Sequence, residues 1–283
     1  MNDQDEFPNQ FFAPAKLNLG LYLGPARPDG LHELASIFEP LSLHDRITVS
    51  ESETDEVICP GISGKNLAAE ALRLLRSEGW GSPPLRIEIE KRIPVQAGLG
   101  GGSADAAAVL RLALGEVGDL AGLAIMLGAD VPSQIDPVPC LVEGVGQKLS
   151  SLPPPAEHWV VLVPFAEGLP TAEVFAEADR QGAGRTQEEI DEISGRLWAV
   201  ASSGVSPLDF PALLVNDLEA AAISLKPEIG AVLQRVEKAG AGLVAISGSG
   251  PTVFGIYPDR ESAEAGANEI GPGAIVCRGG AGL

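Results

Sequence analysis

Pro94-Val95-Gln96-Ala97-Gly98-Leu99-Gly100-Gly101-Gly102-Ser103-Ala104-Asp105-Ala106 decides how this chain is read. Four of the five residues from Gly98 to Gly102 are glycine. Downstream, Ala104 to Leu114 is almost all Ala, Leu and Val, which favours helix. Upstream, Leu85, Ile87, Ile89 and Ile93 alternate with polar residues, as in a strand with one buried face. Strand, glycine loop and helix start together make a phosphate site. Glycines let the backbone approach an anion and turn several N–H groups toward it. The free N–H groups and positive dipole end of the helix add attraction. Two familiar loops are excluded. A Walker A loop ends in Gly-Lys-Ser/Thr, whereas Gly102 precedes Ser103-Ala104. A dinucleotide fingerprint wants glycine at 103, where serine stands. A flexible linker is the plain alternative, and the patterned strand and helix on either side argue against it.

The chain has 283 residues, enough for two domains with a core each. Three consecutive prolines within Ser150–Ala156 mark the boundary, giving 1–153 and 154–283. No apolar run reaches membrane-span length. Residues Met1 to Phe12 are acidic and lack the basic and apolar regions of a signal peptide, so a cytoplasmic protein is expected. Cys59, Cys140 and Cys277 stand singly, which argues against a disulfide framework or a zinc site. Three dispersed histidines make no metal cluster, and no protein metal ligand is assigned. A formal net charge of −20 excludes nucleic acid as a partner. Acidic residues such as Glu188, Glu189, Asp191, Glu192, Glu261 and Glu264 fall on expected helix surfaces, the mark of a soluble exterior. A polyanionic ligand would then need local cations to offset the global field.

Leu17, Leu19, Leu21 and Leu23 alternate with Lys16, Asn18, Gly20 and Tyr22, a strand with Lys16 and Asn18 on its polar face. Arg27-Pro28-Asp29-Gly30 is a turn. Ala35–Leu43 and Ile47–Val49 read as separate strands, Asn66–Arg76 and Leu120–Leu127 as helices, with Gly128 as a cap. Beyond the prolines come a strand (Trp159–Val163), a helix from Thr171, a longer one over Thr186–Ala201 opened by Thr186 and Glu189, then Leu213–Leu225 and Glu228–Ala239. A hairpin, a short helix (Asp259–Glu269) and a strand (Ala274–Arg278) follow, and Gly279–Leu283 is expected to fray. Strand–helix–strand–strand–helix–strand, with helices inserted, indicates a ferredoxin-like second half. Ser247-Gly248-Ser249-Gly250-Pro251 sits at the hairpin: a tight turn taken alone, a second wall for the ligand beside a phosphate loop.

Pro14-Ala15-Lys16-Leu17-Asn18-Leu19, Pro94–Ala106 and Ser247–Pro251 resemble, in order and spacing, the three motifs of the GHMP kinases, small-molecule kinases. Pro28-Asp29-Gly30-Leu31-His32-Glu33-Leu34, Leu127-Gly128-Ala129-Asp130-Val131-Pro132 and Asn216-Asp217-Leu218-Glu219 resemble a narrower family among them, the 4-diphosphocytidyl-2-C-methyl-D-erythritol kinases. The resemblance implies a two-lobed α/β fold, with a first lobe like domain 2 of ribosomal protein S5 and a ferredoxin-like second lobe. It implies transfer of the ATP γ-phosphoryl group to a hydroxyl of the methylerythritol moiety, with Mg2+ delivered by ATP and keeping most of its waters. The partners implied are ATP and a cytidine diphosphate-linked polyol, in a monomer or homodimer, with no membrane partner.

The roles follow residue by residue. By the resemblance, Asp130 is the catalytic base and Lys16 its partner; a cap after Gly128 is the plainer task for Asp130. In a loose transition state the nucleophile needs little early activation, so Asp130 would position the hydroxyl and take its proton late. Pro94 to Ala104 would hold the nucleotide: Pro94, Val95, Gln96, Ala97, Gly98, Leu99, Gly100, Gly101, Gly102, Ser103 and Ala104, with Ser103 on phosphate or a magnesium-bound water. Asn18, His32, Thr171, Phe175, Gly248 and Ser249 would bind the acceptor, with His32 on the cytosine edge. Thr171 and Phe175 equally suit an N-cap and a core position. Leu31 stands where the family often has tyrosine, a stacking face worth roughly 1–3 kcal/mol; Phe175 and Tyr22 are the aromatics left to supply one. Ala104 replaces a frequent serine. Two rival readings remain: a sibling kinase acting on homoserine or a mevalonate derivative, and a silent nucleotide binder. The 29–34 segment argues against the first, and the joint presence of Lys16 and Asp130 against the second.

Overall fold

The computed structural model describes residues 10–62 and 64–280, so the stretch before residue 10 and residues 281–283 lie outside it. Two sheets organise the chain. The first has six strands: β1 (Gln10–Ala26), β2 (His32–Glu51), β3 (Glu56–Ile58), β4 (Leu85–Glu90), β5 (Cys140–Gly144) and β6 (Lys148–Ser151). Its order is β3-β4-β2-β5-β6, with β1 paired along the other edge of β2. Helices α1 (Leu67–Ser77), α2 (Gly101–Arg111) and α3 (Leu120–Leu127) join this half. The second sheet comprises β7 (Trp159–Val163), β8 (Leu243–Ile246), β9 (Val253–Tyr257) and β10 (Ile275–Arg278) in the order β10-β7-β9-β8, antiparallel throughout. With α8 (Arg260–Ile270) between β9 and β10, this is the ferredoxin-like arrangement. The first helix of that arrangement is α7 (Glu228–Lys238), which packs on β8 and β9, and the inserted helices are α4 (Thr171–Gln181), α5 (Gln187–Ala201) and α6 (Glu219–Leu225).

Local chemistry explains the boundaries. Asn66 caps α1 by accepting from Ala68 N and Ala69 N at 2.9 and 3.3 Å. Ala68, Ala71, Leu72 and Leu75 form its buried stripe, each leucine worth about 1.5–3 kcal/mol of burial. Thr186 and Glu189 form a reciprocal capping box at the start of α5. The helix after the glycine loop runs from Gly101 to Arg111, three residues earlier than its composition indicates, because Gly101 and Gly102 already form its first turn.

Three expectations are corrected, and one hairpin is added. The expected strands at 35–43 and 47–49 are one continuous β2, because Asp45 is not a break: its carboxylate accepts from Arg92 N and Ile93 N at 2.6 and 2.8 Å. The β5–β6 hairpin was not apparent in the sequence. The helix over 213–225 shortens to Glu219–Leu225, because Asn216 turns its side chain onto other backbone groups. Gly279 does not fray: it is buried, bridges to Leu41 and donates to His158 O at 3.2 Å.

One apolar cluster belongs to the first sheet and its helices, including Ile47, Leu75, Ile87 and Val109. Another lies mainly under the second, with Val161, Val174, Ile229 and Tyr257. A third is shared, packing Leu17, Leu19 and Leu99 with Leu162, Phe254 and Ile256.

Candidate active site

The glycine loop leads from β4 into α2. Gly98 and Gly100 hold φ of 76° and 69°, the left-handed region that favours glycine. Space demands glycine there too. A Cβ on Gly98 would stand 2.5 Å from Ser247 O, and one on Gly100 2.8 Å from Lys16 Cγ. Gln96 is left-handed as well, with φ of 56°, a strained choice for a residue with a side chain. Gly101, Gly102 and Ser103 occupy the first turn of α2, so their N–H groups have no partner within the helix. They border a cleft of about 610 Å³, lined by the loop from Pro94 to Ser103 with Lys65, Asn66, Lys91 and Asp105. Ala104 does not belong to that lining: its N–H bonds Gly100 O at 2.9 Å and its side chain is buried in the core. Ala97 and Leu99 also turn their side chains inward and present only backbone.

A charged cluster that the sequence did not reveal lies beneath the loop. Lys91 Nζ donates to Asp45 and, at 2.7 Å, to Asp105 Oδ2. Asp45 is fully buried and Asp105 nearly so. Burial pushes the Asp105 carboxyl up to about 7; Lys91 opposes this and Asp45 adds to it. One signal was present: Asp105 interrupts an otherwise apolar helical run. Lys65 and Lys91 are the cations of the cleft lining; Lys91 is offset by two carboxylates, and the exposed Lys65 is paired with Glu70 Oε2 at 3.2 Å. Attraction for an anion therefore rests first on the N–H groups of the loop, with Lys65 able to exchange its surface partner for a ligand.

Lys16 and Asp130 come together. The ammonium of Lys16 lies 3.4 Å from Asp130 Oδ2, donates to Asn18 Oδ1, and sits 4.6 Å from the centroid of the Phe38 ring. The lysine backbone is tied to the loop, its N–H donating to Leu99 O at 2.9 Å. Asp130 occupies the turn after α3, and Ser133 Oγ donates to its carbonyl at 2.8 Å. Asn18 Nδ2 donates to Ser36 Oγ at 3.0 Å, and Asn18 N to Ser247 Oγ at 3.2 Å. Ser247 Oγ in turn donates to Gly98 O at 3.1 Å, so one hydroxyl joins the two glycine clusters through β1.

The β8–β9 turn packs against Asn18, Lys16 and Gly98. A Cβ at Gly248 would stand 3.0 Å from Asn18 Oδ1 and 3.8 Å from Lys16 Nζ. Ser249 Oγ lies 3.1 Å from Thr171 Oγ1 at the start of α4. One turn further along α4, the Phe175 ring stands 5.5 Å from the His32 ring, tilted by 43°. His32 Nε2 pairs with Asp179 Oδ1 at 2.8 Å, and His32 is 8% exposed. Contacts thus run from Lys16 to Gly248, Ser249 and Thr171, while Phe175 meets His32. Leu31 is exposed, and Tyr22 offers no free face: it is buried, donates to Leu213 O at 2.9 Å and lies under the Arg185 guanidinium. Arg185 also grips Asp217 through two bonds of 2.7 Å.

Comparison with known proteins agrees with this fold. The model of the GHMP kinases N terminal domain matches residues 66–144, and that of the GHMP kinases C terminal domain matches 208–273. The 4-diphosphocytidyl-2-C-methyl-D-erythritol kinase of Anaeromyxobacter sp. (strain K) is 39% identical over 277 residues, covering 91% of this chain and 83% of its own. A crystal structure of 4-(cytidine 5'-diphospho)-2C-methyl-D-erythritol kinase superposes with a TM-score of 0.79 at 34% identity, over 96% of this chain and all of that one. Homoserine kinase from Cytophaga hutchinsonii shares the fold, with a TM-score of 0.69 at 19% identity over 98% of this chain and 96% of its own.

Proposed function

The chain belongs to the GHMP kinases, and within them to the 4-diphosphocytidyl-2-C-methyl-D-erythritol kinases, and from that membership we infer its reaction. It phosphorylates a hydroxyl of 4-diphosphocytidyl-2-C-methyl-D-erythritol with ATP, giving the 2-phosphate and ADP in the non-mevalonate route to isoprenoid precursors. The observation that carries this reading at the level of side chains is the Lys16–Asp130 pair beside the glycine loop.

In this reading the N–H groups of Gly101, Gly102 and Ser103 face the polyphosphate, and the cleft receives the rest of the nucleotide. Loop glycines allow the close backbone approach this requires. Asp130, part-exposed, holds the attacking hydroxyl and takes its proton late, since a loose transition state asks little of the nucleophile early on. Lys16 lends its charge to the oxygens that become more negative during transfer. Asn18 holds Lys16 in place. Phe175 and His32 take the cytosine, and Thr171, Gly248 and Ser249 line its diphosphate. Mg2+ delivered with ATP would supply charge neutralisation between the phosphates.

We place the division of the chain at 153/154, with one sheet in each part. No helix among the described residues is long and apolar enough to cross a membrane. A cytoplasmic enzyme, monomer or homodimer, accompanies this reading.

The test is ADP release with magnesium-ATP and three acceptors in parallel: the cytidyl substrate, homoserine and mevalonate. Turnover confined to the first is expected. Turnover only with another acceptor would move the function to a sibling kinase and remove His32 from base recognition. ATP binding without turnover on any of them would favour a silent nucleotide binder.

A further inference from the structure

Asn216-Asp217-Leu218-Glu219 is a motif that the catalytic reading leaves without a task, yet its contacts run toward the catalytic pair. Asn216 is 7% exposed. Its Nδ2 donates to Ile246 O at 2.9 Å and to Gly248 O at 2.8 Å, and its Oδ1 accepts from Leu218 N at 2.9 Å. Both amide hydrogens are therefore spent on the β8–β9 turn. That turn carries Ser247, whose hydroxyl joins Asn18 N to Gly98 O, and Gly248, which closes on Asn18 Oδ1. Asn18 Oδ1 is the acceptor for the Lys16 ammonium. Every link from residue 216 to Lys16 is buried: Ser247 is 0% exposed, Asn18 2% and Lys16 4%.

We propose that Asn216 is a positioning residue for phosphoryl transfer: by holding the Gly248 carbonyl it seats the turn against Asn18, and through Asn18 it fixes the Lys16 ammonium beside Asp130. This rests on the reading of Lys16 and Asp130 as the catalytic pair. The residue type follows from the contacts. Aspartate would keep the acceptor for Leu218 N but set a carboxylate against two carbonyl oxygens. Alanine would leave both carbonyls and the Leu218 N–H without this partner. Asp217 serves a different neighbour, accepting from Leu23 N at 3.0 Å and from Arg185. The two polar residues thus fasten the turn and β1 at adjacent points.

The experiment is a double-mutant cycle. kcat, both KM values and the melting temperature are measured for Asn216→Ala, Asn18→Ala and the double variant, with Asp130→Asn alongside. Each single change is expected to lower kcat by about tenfold or more while the KM for ATP stays within about twofold, and the double variant should be no slower than the slower single, because both cut one path. Losses that multiply in the double variant would overturn the proposal. So would a fall in melting temperature with kcat unchanged. If Asn216→Ala does not fold, Asn216→Asp, which keeps the size and the bond to Leu218, enters the same cycle. An Asp130→Asn enzyme that still turns over would instead show that the underlying catalytic reading has failed.

Discussion

Lys16 Nζ stands 3.4 Å from Asp130 Oδ2, and the two side chains differ in access: 5% exposed for the lysine, 34% for the aspartate. The cation is anchored inside while the carboxylate stays accessible from outside. Asp130→Asn keeps the size of the side chain and removes its ability to take a proton. Turnover should fall by about 10²-fold or more, in the range of lost acid–base catalysis, while ATP binding is retained. Fluorescent-nucleotide titration beside coupled ADP release separates the two, and an active variant would remove Asp130 from the chemistry.

Gly100 packs directly on the stem of that lysine. Gly100→Ala places a methyl group 2.8 Å from Lys16 Cγ and forces φ of 69° on a residue with a side chain. We expect roughly 1–3 kcal/mol of lost stability and a lower kcat. Urea unfolding and steady-state kinetics check both, and a neutral variant would mean that the loop relaxes freely.

Leu31 is 52% exposed, so enlarging it disturbs no core. Leu31→Tyr supplies an aromatic face and should lower the KM for the cytidyl substrate, while Phe175→Ala should raise it; each stacking face is worth roughly 1–3 kcal/mol. The KM for ATP should not move in either. Equal shifts for ATP and the cytidyl substrate would take these residues out of base recognition.

The net charge of −20 repels a doubly anionic pair of substrates. Salt screens that repulsion over about 10 Å at 0.1 M, so moderate salt should lower both KM values. A KM that climbs steadily from low salt would show that the attraction of Lys65 and the loop N–H groups outweighs the global field.

Asp105 gives the fold a pH dependence whose sign is fixed. Its ordinary value is 3.8, and burial, aided by Asp45 and opposed by Lys91, carries it to about 7. Between those values the folded chain keeps a proton that the unfolded chain has given up, so this group makes stability fall as pH rises through that window. Below the window both states hold the proton, and above it neither does. Asp105→Asn cannot ionise and should flatten the fall by roughly 1–4 kcal/mol, at 1.36 kcal/mol per unit. Urea midpoints at both ends of the window measure it, and an unchanged slope would contradict the assignment.

Much of this was legible from residues 16–23, 94–106 and 127–132, because a patterned strand, a glycine run and a capped turn are local signals. The continuity of β2 was not, because Asp45 reads as a break until Lys91, Arg92 N and Ile93 N are brought to it from β4 and beyond. The short α6 was hidden for the same reason: Asn216 sits in a helix-compatible run, and only its partners Ile246 and Gly248 explain why the helix starts later. Within the site, sequence pointed to Lys16, Asp130 and the glycine loop, which the structure brings together. Residues that hold those groups, such as Ser247 between Asn18 and Gly98, depend on contacts between segments far apart in the chain.

The interior shared between the sheets has a mechanical consequence. Leu17, Leu19 and Leu99 are buried against Leu162, Phe254 and Ile256, so either half produced alone would carry raw apolar surface. The two sheets should melt in a single transition rather than in succession. Stiffness follows from the same packing: swinging one sheet away from the other would tear open this cluster, so admission and release of ligands fall to the loops at the cleft's rim.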